Sequence, residues 1–108
     1  EKYIKEEKLV FIDVTADWCV TCQLNKKTVF ENEEVSELFK EKNIVLLRAD
    51  WTFQNPEILD FLKSHNRYGV PFNILYTKLY PNGVIFKEVL FRRSFIEKIK
   101  KYINKDYL

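Results

Sequence analysis

Methionine and long apolar segments are missing from this 108-residue chain. No apolar run approaches the ~20 residues that a membrane-spanning helix requires, and no charged start is followed by the apolar stretch of a signal peptide. Because methionine is absent and the chain begins at Glu1, we expect a domain excised from a larger protein or a processed chain. Its length is typical of one compact domain, so we predict a single domain over residues 1–108.

Neither sign of charge is in large excess. The 18 basic and 16 acidic residues leave a net charge of +2, and the acids are interspersed with the bases. This balance argues against nucleic acid as a partner. Nine phenylalanines and six tyrosines supply enough apolar volume for a well-filled core. We therefore expect a soluble globular domain that needs neither a metal nor structural disulfides to fold.

Cysteine is scarce, and the only two residues of this type, Cys19 and Cys22, form a Cys-x-x-Cys motif. A disulfide scaffold needs more cysteines at wider spacing, so the pair is predicted to serve reactivity or metal binding. A structural zinc site normally has four Cys or His ligands, and this chain adds only His65 to the pair. A redox pair is the favoured interpretation, and half of an intermolecular metal site is the alternative.

Apolar runs and helix signals predict the element order β-α-β-α-β-β-α. The first two strands are expected to be buried and, because a helix joins them, parallel. A turn signal at residues 81–83 predicts a hairpin between the last two strands. The predicted fold class is α/β, with a central mixed sheet of four or slightly more strands flanked by helices. The strands are predicted over residues 9–15, 44–50, 72–77 and 84–89, and the helices over 20–30, 32–42, 55–65 and from 94 onwards.

Three helix starts carry recognisable capping signals. Asn32 is predicted to cap the second helix, and Asn55 followed by Pro56 is predicted to begin the third. A capping box at residues 94–97 is predicted to open the last helix. The polar segment at residues 2–8 is expected to be the end of a further helix.

The cysteine pair follows a predicted buried strand and a short turn, at the start of a helix. Amides and the dipole at a helix N-terminus favour negative charge, so Cys19 is expected to be the exposed, nucleophilic thiolate. Cys22 lies one turn further in, where it is expected to be shielded and to attack a mixed disulfide on Cys19. This placement favours thiol–disulfide chemistry.

Two segments carry a resemblance to thioredoxins. Residues 11–22 resemble the active-site strand and turn of that family, and residues 68–71, Tyr-Gly-Val-Pro, resemble its loop ending in a cis-proline. A narrower resemblance, on residues 16–22, 48–52 and 67–72, is to the C-terminal periplasmic domain of the DsbD and ScsB-like thiol:disulfide interchange proteins. It implies a thioredoxin-like fold and a protein-disulfide reductase with no cofactor beyond its own redox-active disulfide.

The narrower resemblance also implies a membrane-tethered electron relay. A membrane-embedded domain of the same polypeptide would donate electrons, and this domain would pass them to disulfide-containing protein domains outside the cytoplasm. The implied location is periplasmic, with the full-length protein tethered to the inner membrane and this domain soluble and monomeric. An oxidase or isomerase with the same fold, and a non-enzymatic binding or metal module, are the alternatives.

The resemblance assigns roles residue by residue. Cys19 attacks the target disulfide and Cys22 resolves the mixed disulfide. Pro71 is expected to be cis and to pack against the pair, so that Val70 and Gly69 present a backbone edge to an extended substrate segment.

Further roles fall to side chains around the pair. Asp13 matches the buried acid of thioredoxins, so we expect a raised pKa and proton exchange with Cys22. Trp18 is expected to shield the sulfurs and to offer a flat contact surface to substrate. Lys26 stands where relatives often carry a glutamate, and its charge is expected to favour the Cys19 thiolate. Residues 51–53 are interpreted as packing, with a place on a partner surface as the alternative.

Overall fold

Strands and helices alternate along residues 9–106, the part of the chain that the computed structural model describes, with side chains described for residues 9–103. The helical end expected at residues 2–8 lies outside this range. None of the described helices is long and apolar enough to cross a membrane. The elements are β1 (Leu9–Thr15), α1 (Val20–Asn25), a π-helical turn (Lys26–Phe30), α2 (Glu33–Glu41), β2 (Ile44–Asp50), α3 (Pro56–Ser64), β3 (Phe72–Tyr76), β4 (Val84–Ile85) and α4 (Arg92–Asp106).

The four strands form one mixed sheet in the order β2-β1-β3-β4. β1 runs parallel to β2, with Leu9 opposite Ile44 and Thr15 opposite Asp50. β3 is antiparallel to both β1 and β4. The predicted α/β class, the element order, the parallel pair and the final hairpin are all confirmed.

Side chains of β1 alternate between two apolar layers, as the pleat of a strand requires. On one face, Leu9 and Phe11 pack against the layer formed by the π-helical turn, α2 and α4. On the other face, Val10 and Val14 pack with Leu62 of α3. The central ring is fully buried Phe11, whose centroid lies within 6 Å of four other rings, those of Phe30, Phe39, Phe86 and Phe95.

Two strand predictions are wrong in part. β2 lies at an edge of the sheet, so Ile44 is buried but most of the strand is half-buried or exposed. The last strand was expected over residues 84–89 and ends at Ile85. Beyond it, the Asn25 side chain donates to the carbonyl of Glu88 and accepts the N–H of Leu90, so this part of the backbone is bonded to the helical layer.

Two of the three helix-start signals are confirmed. The side-chain oxygens of Asn32 and Asn55 each accept two backbone N–H groups of the helix that follows. The third is wrong, because α4 begins at Arg92, before the expected capping box. The Phe95 N–H donates to the Phe91 carbonyl at 2.8 Å and closes the first turn two residues earlier than expected.

Candidate active site

Cys19 and Cys22 are joined by a disulfide, with their Cα atoms 5.2 Å apart. Cys19 caps α1, and its Sγ accepts the backbone N–H of Cys22 at 3.1 Å. A backbone N–H directed at this sulfur would also stabilise a thiolate there once the disulfide is reduced. Both residues are buried, with Cys19 8% exposed and Cys22 4% exposed. Cys19 is thus the more exposed of the two, as predicted, by a small margin.

The turn that carries Trp18 is held by the end of β2. Thr52 accepts the N–H of Asp17 on its hydroxyl at 2.9 Å and the indole N–H of Trp18 on its carbonyl at 3.0 Å. Asp50 in turn accepts both the N–H and the hydroxyl of Thr52, and these bonds lower the pKa of the Asp50 carboxyl. These hydrogen bonds were not predicted from the sequence, although an aspartate followed two residues later by a threonine is a recognisable turn signal.

The prediction that residues 51–53 pack in the interior holds only for the first. Trp51 is half-buried against the α3 side of the sheet. Phe53 is 84% exposed and lies just beyond the threonine that holds the turn of Trp18. Phe53 therefore belongs to the surface next to the cysteine pair.

The loop before β3 supplies the opposite wall of the site. The Val70–Pro71 peptide bond is cis, which confirms the expectation for this loop. Val70 packs against the cluster of Ala16, Cys19 and Cys22, and Pro71 is buried directly after it. Gly69 is exposed, and a Cβ placed on it would meet no atom within 4 Å. Val70 thus contacts the pair, and packing of Pro71 against it stays a prediction.

Asp13 is a buried acid on β1, only 5% exposed. Because side chains alternate along a strand, Asp13 shares the face of Leu9 and Phe11, the face covered by the helical segment that follows Cys22. Burial raises the pKa of Asp13 to about 6, and the positive charge of Arg48 limits the rise. The predicted buried position and raised pKa are confirmed, and proton exchange with Cys22 stays a prediction.

Lys26 follows α1 and begins the π-helical turn. Its Nζ lies 3.9 Å from Glu31 Oε2, and both side chains are about half exposed. Exposed ion pairs of this kind contribute little to stability. The effect of Lys26 on the Cys19 thiolate stays a prediction.

Exposed apolar side chains lie on the chain segments that adjoin the pair. Trp18 and Val20 flank Cys19 in the chain and are 62% and 83% exposed, and Tyr68, next to Gly69, is 70% exposed. With Phe53 they supply apolar surface of the kind that protein partners cover. Trp18 was predicted as a contact residue, and Phe53 lies within a segment for which a partner surface was the alternative. Val20 and Tyr68 were not predicted as contact residues, although Val20 lies between the two cysteines at the start of a helix.

Comparisons with known proteins agree with this geometry. A family model described as thioredoxin-like matches residues 1–78. The thiol:disulfide interchange protein DsbD of Vibrio cholerae is 39% identical over 64 residues, and that of Pseudomonas fluorescens is 42% identical over 62. These alignments cover 59% and 57% of this chain, and the chain spans about a tenth (10%) of the length of each relative.

Solved structures show the same fold at lower identity. The C-terminal domain of DsbD from Neisseria meningitidis in its oxidised form matches with a TM-score of 0.76 and 23% identity, over 93% of this chain and 86% of that one. A thioredoxin from Thermus thermophilus matches with a TM-score of 0.73 and 14% identity, over 93% and 77%. These matches confirm the mixed-sheet architecture.

Proposed function

Since the chain belongs to the thioredoxin-like family, we propose that it is a DsbD-like thiol:disulfide interchange domain that reduces protein disulfides through Cys19 and Cys22. The observation that carries this proposal is the disulfide at the start of α1, where the Cys19 sulfur accepts a backbone N–H. The identity to DsbD proteins, 39% over 64 residues and 42% over 62, supports it. We further propose that residues 1–108 form one domain.

Reduction of a target begins with the Cys19 thiolate. It attacks one sulfur of the target disulfide, forms a mixed disulfide and releases the first target thiolate. Cys22 then loses its proton to Asp13 and attacks the Cys19 sulfur, and the second target thiolate leaves. Two electrons pass from the cysteine pair to the target, whose two thiolates take up two protons, while the pair becomes the disulfide described above.

Asp13 suits the role of proton acceptor for Cys22. Its pKa of about 6 lies close to neutral pH, where a general base both accepts and releases protons readily. It lies on the face of β1 that the helical segment after Cys22 covers, which supports its pairing with the Cys22 thiol. In thiol exchange, this acid would accept the Cys22 proton. A buried carboxyl in a purely structural core would have no such function.

Target binding is proposed to use the loop before β3. Val70 lies against the cysteine cluster, and its backbone offers an edge to which an extended target segment can pair by strand addition. Trp18, Val20, Phe53 and Tyr68 provide exposed apolar contacts beside it. Gly69 adds no side chain there, which leaves room for the backbone of the target.

The wider proposal is the electron relay that the resemblance implies. A membrane-embedded domain of the same polypeptide would reduce the Cys19–Cys22 disulfide, and this domain would then reduce disulfide-containing domains in the periplasm. The identity to DsbD proteins, of which the aligned segment is 10%, supports this context. The domain itself is proposed to be soluble and monomeric, within a protein tethered to the inner membrane.

The proposal is tested by cysteine variants and by the reduction potential. Cys19→Ser is expected to abolish reduction of a model protein disulfide, whereas Cys22→Ser is expected to accumulate the mixed disulfide, visible by non-reducing electrophoresis. Normal turnover by Cys22→Ser would contradict the two-thiol mechanism. Equilibration against glutathione buffers should give a potential near that of thioredoxin, about −270 mV, and a value near −120 mV would favour the oxidase alternative.

A further inference from the structure

Asn73 is a fully buried amide without the partners that a buried amide normally has. It lies on β3 at 0% exposure, and neither its Nδ2 nor its Oδ1 has a hydrogen-bond partner within the described part of the chain. The second buried asparagine, Asn25, is fully engaged, with bonds of 2.8 Å to Glu88 and 3.0 Å to Leu90. Buried polar groups are nearly always satisfied, by protein or by ordered water. We therefore expect the Asn73 amide to have a hydrogen-bond partner.

The sheet register identifies a neighbour for this amide. Asn73 stands directly opposite Asp13 in the antiparallel pair of β1 and β3. Asn73 shares the face of Leu75 and Asp13 the face of Phe11, and both of these apolar residues belong to the same core cluster. Side chains opposite each other on one face have Cβ atoms about 4.5–5.5 Å apart, which one water molecule can bridge.

The same row continues to the edge of the sheet. Arg48 of β2 stands opposite Asp13 on its other side. A cation, an acid and an amide thus occupy successive strands. The charged group that acts on Asp13 is Arg48 from β2, β3 contributes the neutral Asn73, and the Cys22 thiol of α1 is the titratable group with which the proposed function pairs Asp13 once the disulfide is reduced.

We propose that Asn73 is a positioning residue for Asp13: a buried water joins its amide to the Asp13 carboxyl and holds that carboxyl for proton exchange with Cys22. This inference rests on the proposed function, because thiol exchange is the step that uses the proton. An amide suits both protonation states. Its Nδ2 donates toward a carboxylate through the water, and its Oδ1 accepts from the water when the carboxyl is protonated.

The bridge predicts a definite direction for the Asp13 pKa. Donation toward the carboxylate favours the charged form, so removing the amide should raise the pKa above its value of about 6. Asn73→Leu keeps a similar volume and removes both unpartnered polar atoms. Leu75→Val, on the same strand and face, is the matched control, because it alters packing without touching the polar row.

The experiment has two readouts. A carbon-13 NMR titration of the Asp13 carboxyl in oxidised protein should show a rise of ~1 unit in Asn73→Leu and no change in Leu75→Val. The pH profile of mixed-disulfide resolution by Cys22 should move in the same direction, with a rate several-fold lower at neutral pH. In an Asp13→Asn background, Asn73→Leu should have no further effect on that rate. Should Asn73→Leu not fold, Asn73→Thr, whose hydroxyl can still donate to or accept from the water, should give a smaller shift.

The outcomes separate this inference from the proposed function. An unchanged Asp13 pKa in the variant overturns the bridge, and a raised pKa with an unmoved resolution profile overturns the positioning role. The NMR titration uses oxidised protein and no substrate, so its result does not depend on turnover. Failure of the wild-type protein to reduce any disulfide would instead overturn the proposed function.

Discussion

Two positions on one face of β1 show how differently neighbouring parts of a core can be built. Phe11 is surrounded by four aromatic rings and is fully buried. Asp13, the next residue on that face, is almost as buried, yet its partners across the sheet are Arg48 and Asn73. The first position stabilises the fold, whereas the burial of the second is destabilising, and we propose that it serves proton exchange with the cysteines.

Truncation at Phe11 should have the largest effect on stability. Phe11→Ala removes the ring at the centre of the aromatic cluster and should lower the free energy of unfolding by about 3–5 kcal/mol, measured by urea denaturation of the oxidised protein. The Asp13 pKa should stay near 6, because the acid lies beyond the cluster.

Phe11→Leu is the milder variant in case the first does not fold, with an expected loss of about 1 kcal/mol. A large drop in the Asp13 pKa in either variant would mean that water reaches the acid through the cluster, and the two positions would then not be independent.

Removing the charge of Asp13 should raise the free energy of unfolding at neutral pH, whereas truncation at Phe11 lowers it. The folded pKa of about 6 exceeds the ordinary value of 3.8, so the folded state binds this proton more tightly than the unfolded state. The stability that protonated Asp13 contributes is complete below pH 3.8 and is lost as the pH rises through about 6. The loss is at most about 3 kcal/mol. Asp13→Asn should therefore be the more stable protein at pH 7.5.

The same variant should slow resolution of the mixed disulfide, on the order of 100-fold, because Cys22 loses its proton acceptor. Urea denaturation at pH 4 and pH 7.5, together with stopped-flow thiol exchange, measures both effects. If wild type and variant lost stability in parallel between those pH values, burial of Asp13 would not be the cause of the pH dependence of stability. An unchanged exchange rate in the variant would remove Asp13 from the mechanism.

Local sequence predicted the parts of the fold that local forces decide. β1 and β2 begin and end where their apolar, β-branched runs do, and the caps at Asn32 and Asn55 act within their own helices. The early start of α4 rests on a local bond, from the Phe95 N–H to the Phe91 carbonyl, whereas the segment after β4 is bonded to a distant residue. Asn25, more than 60 residues away, binds the backbone at Glu88. No short-range pattern contains that contact.

The candidate site also contains residues that sequence patterns predicted and residues that depend on distant contacts. Cys19, Cys22 and Pro71 lie in recognisable motifs, and Asp13 was found through the resemblance to thioredoxins. Thr52 was missed as a support for the turn of Trp18, because its hydrogen bonds span 34 and 35 residues. Asn73 also escaped notice, since an asparagine within an apolar strand reveals its neighbour only through the register of β1 and β3.

The smallest expected effects on stability come from the two walls of the site. These are the turn held by Thr52 and the exposed loop at Gly69. Thr52→Val removes the hydroxyl that accepts the Asp17 N–H, which should cost about 1 kcal/mol. Gly69→Ala should leave stability unchanged, because its Cβ meets open space, and should weaken only target binding. Urea denaturation and the KM for a protein disulfide compare the two. Equal losses of stability would mean that the loop is as tightly held as the turn, whereas a loss confined to Thr52→Val would identify the end of β2 as the element that fixes the geometry around Cys19.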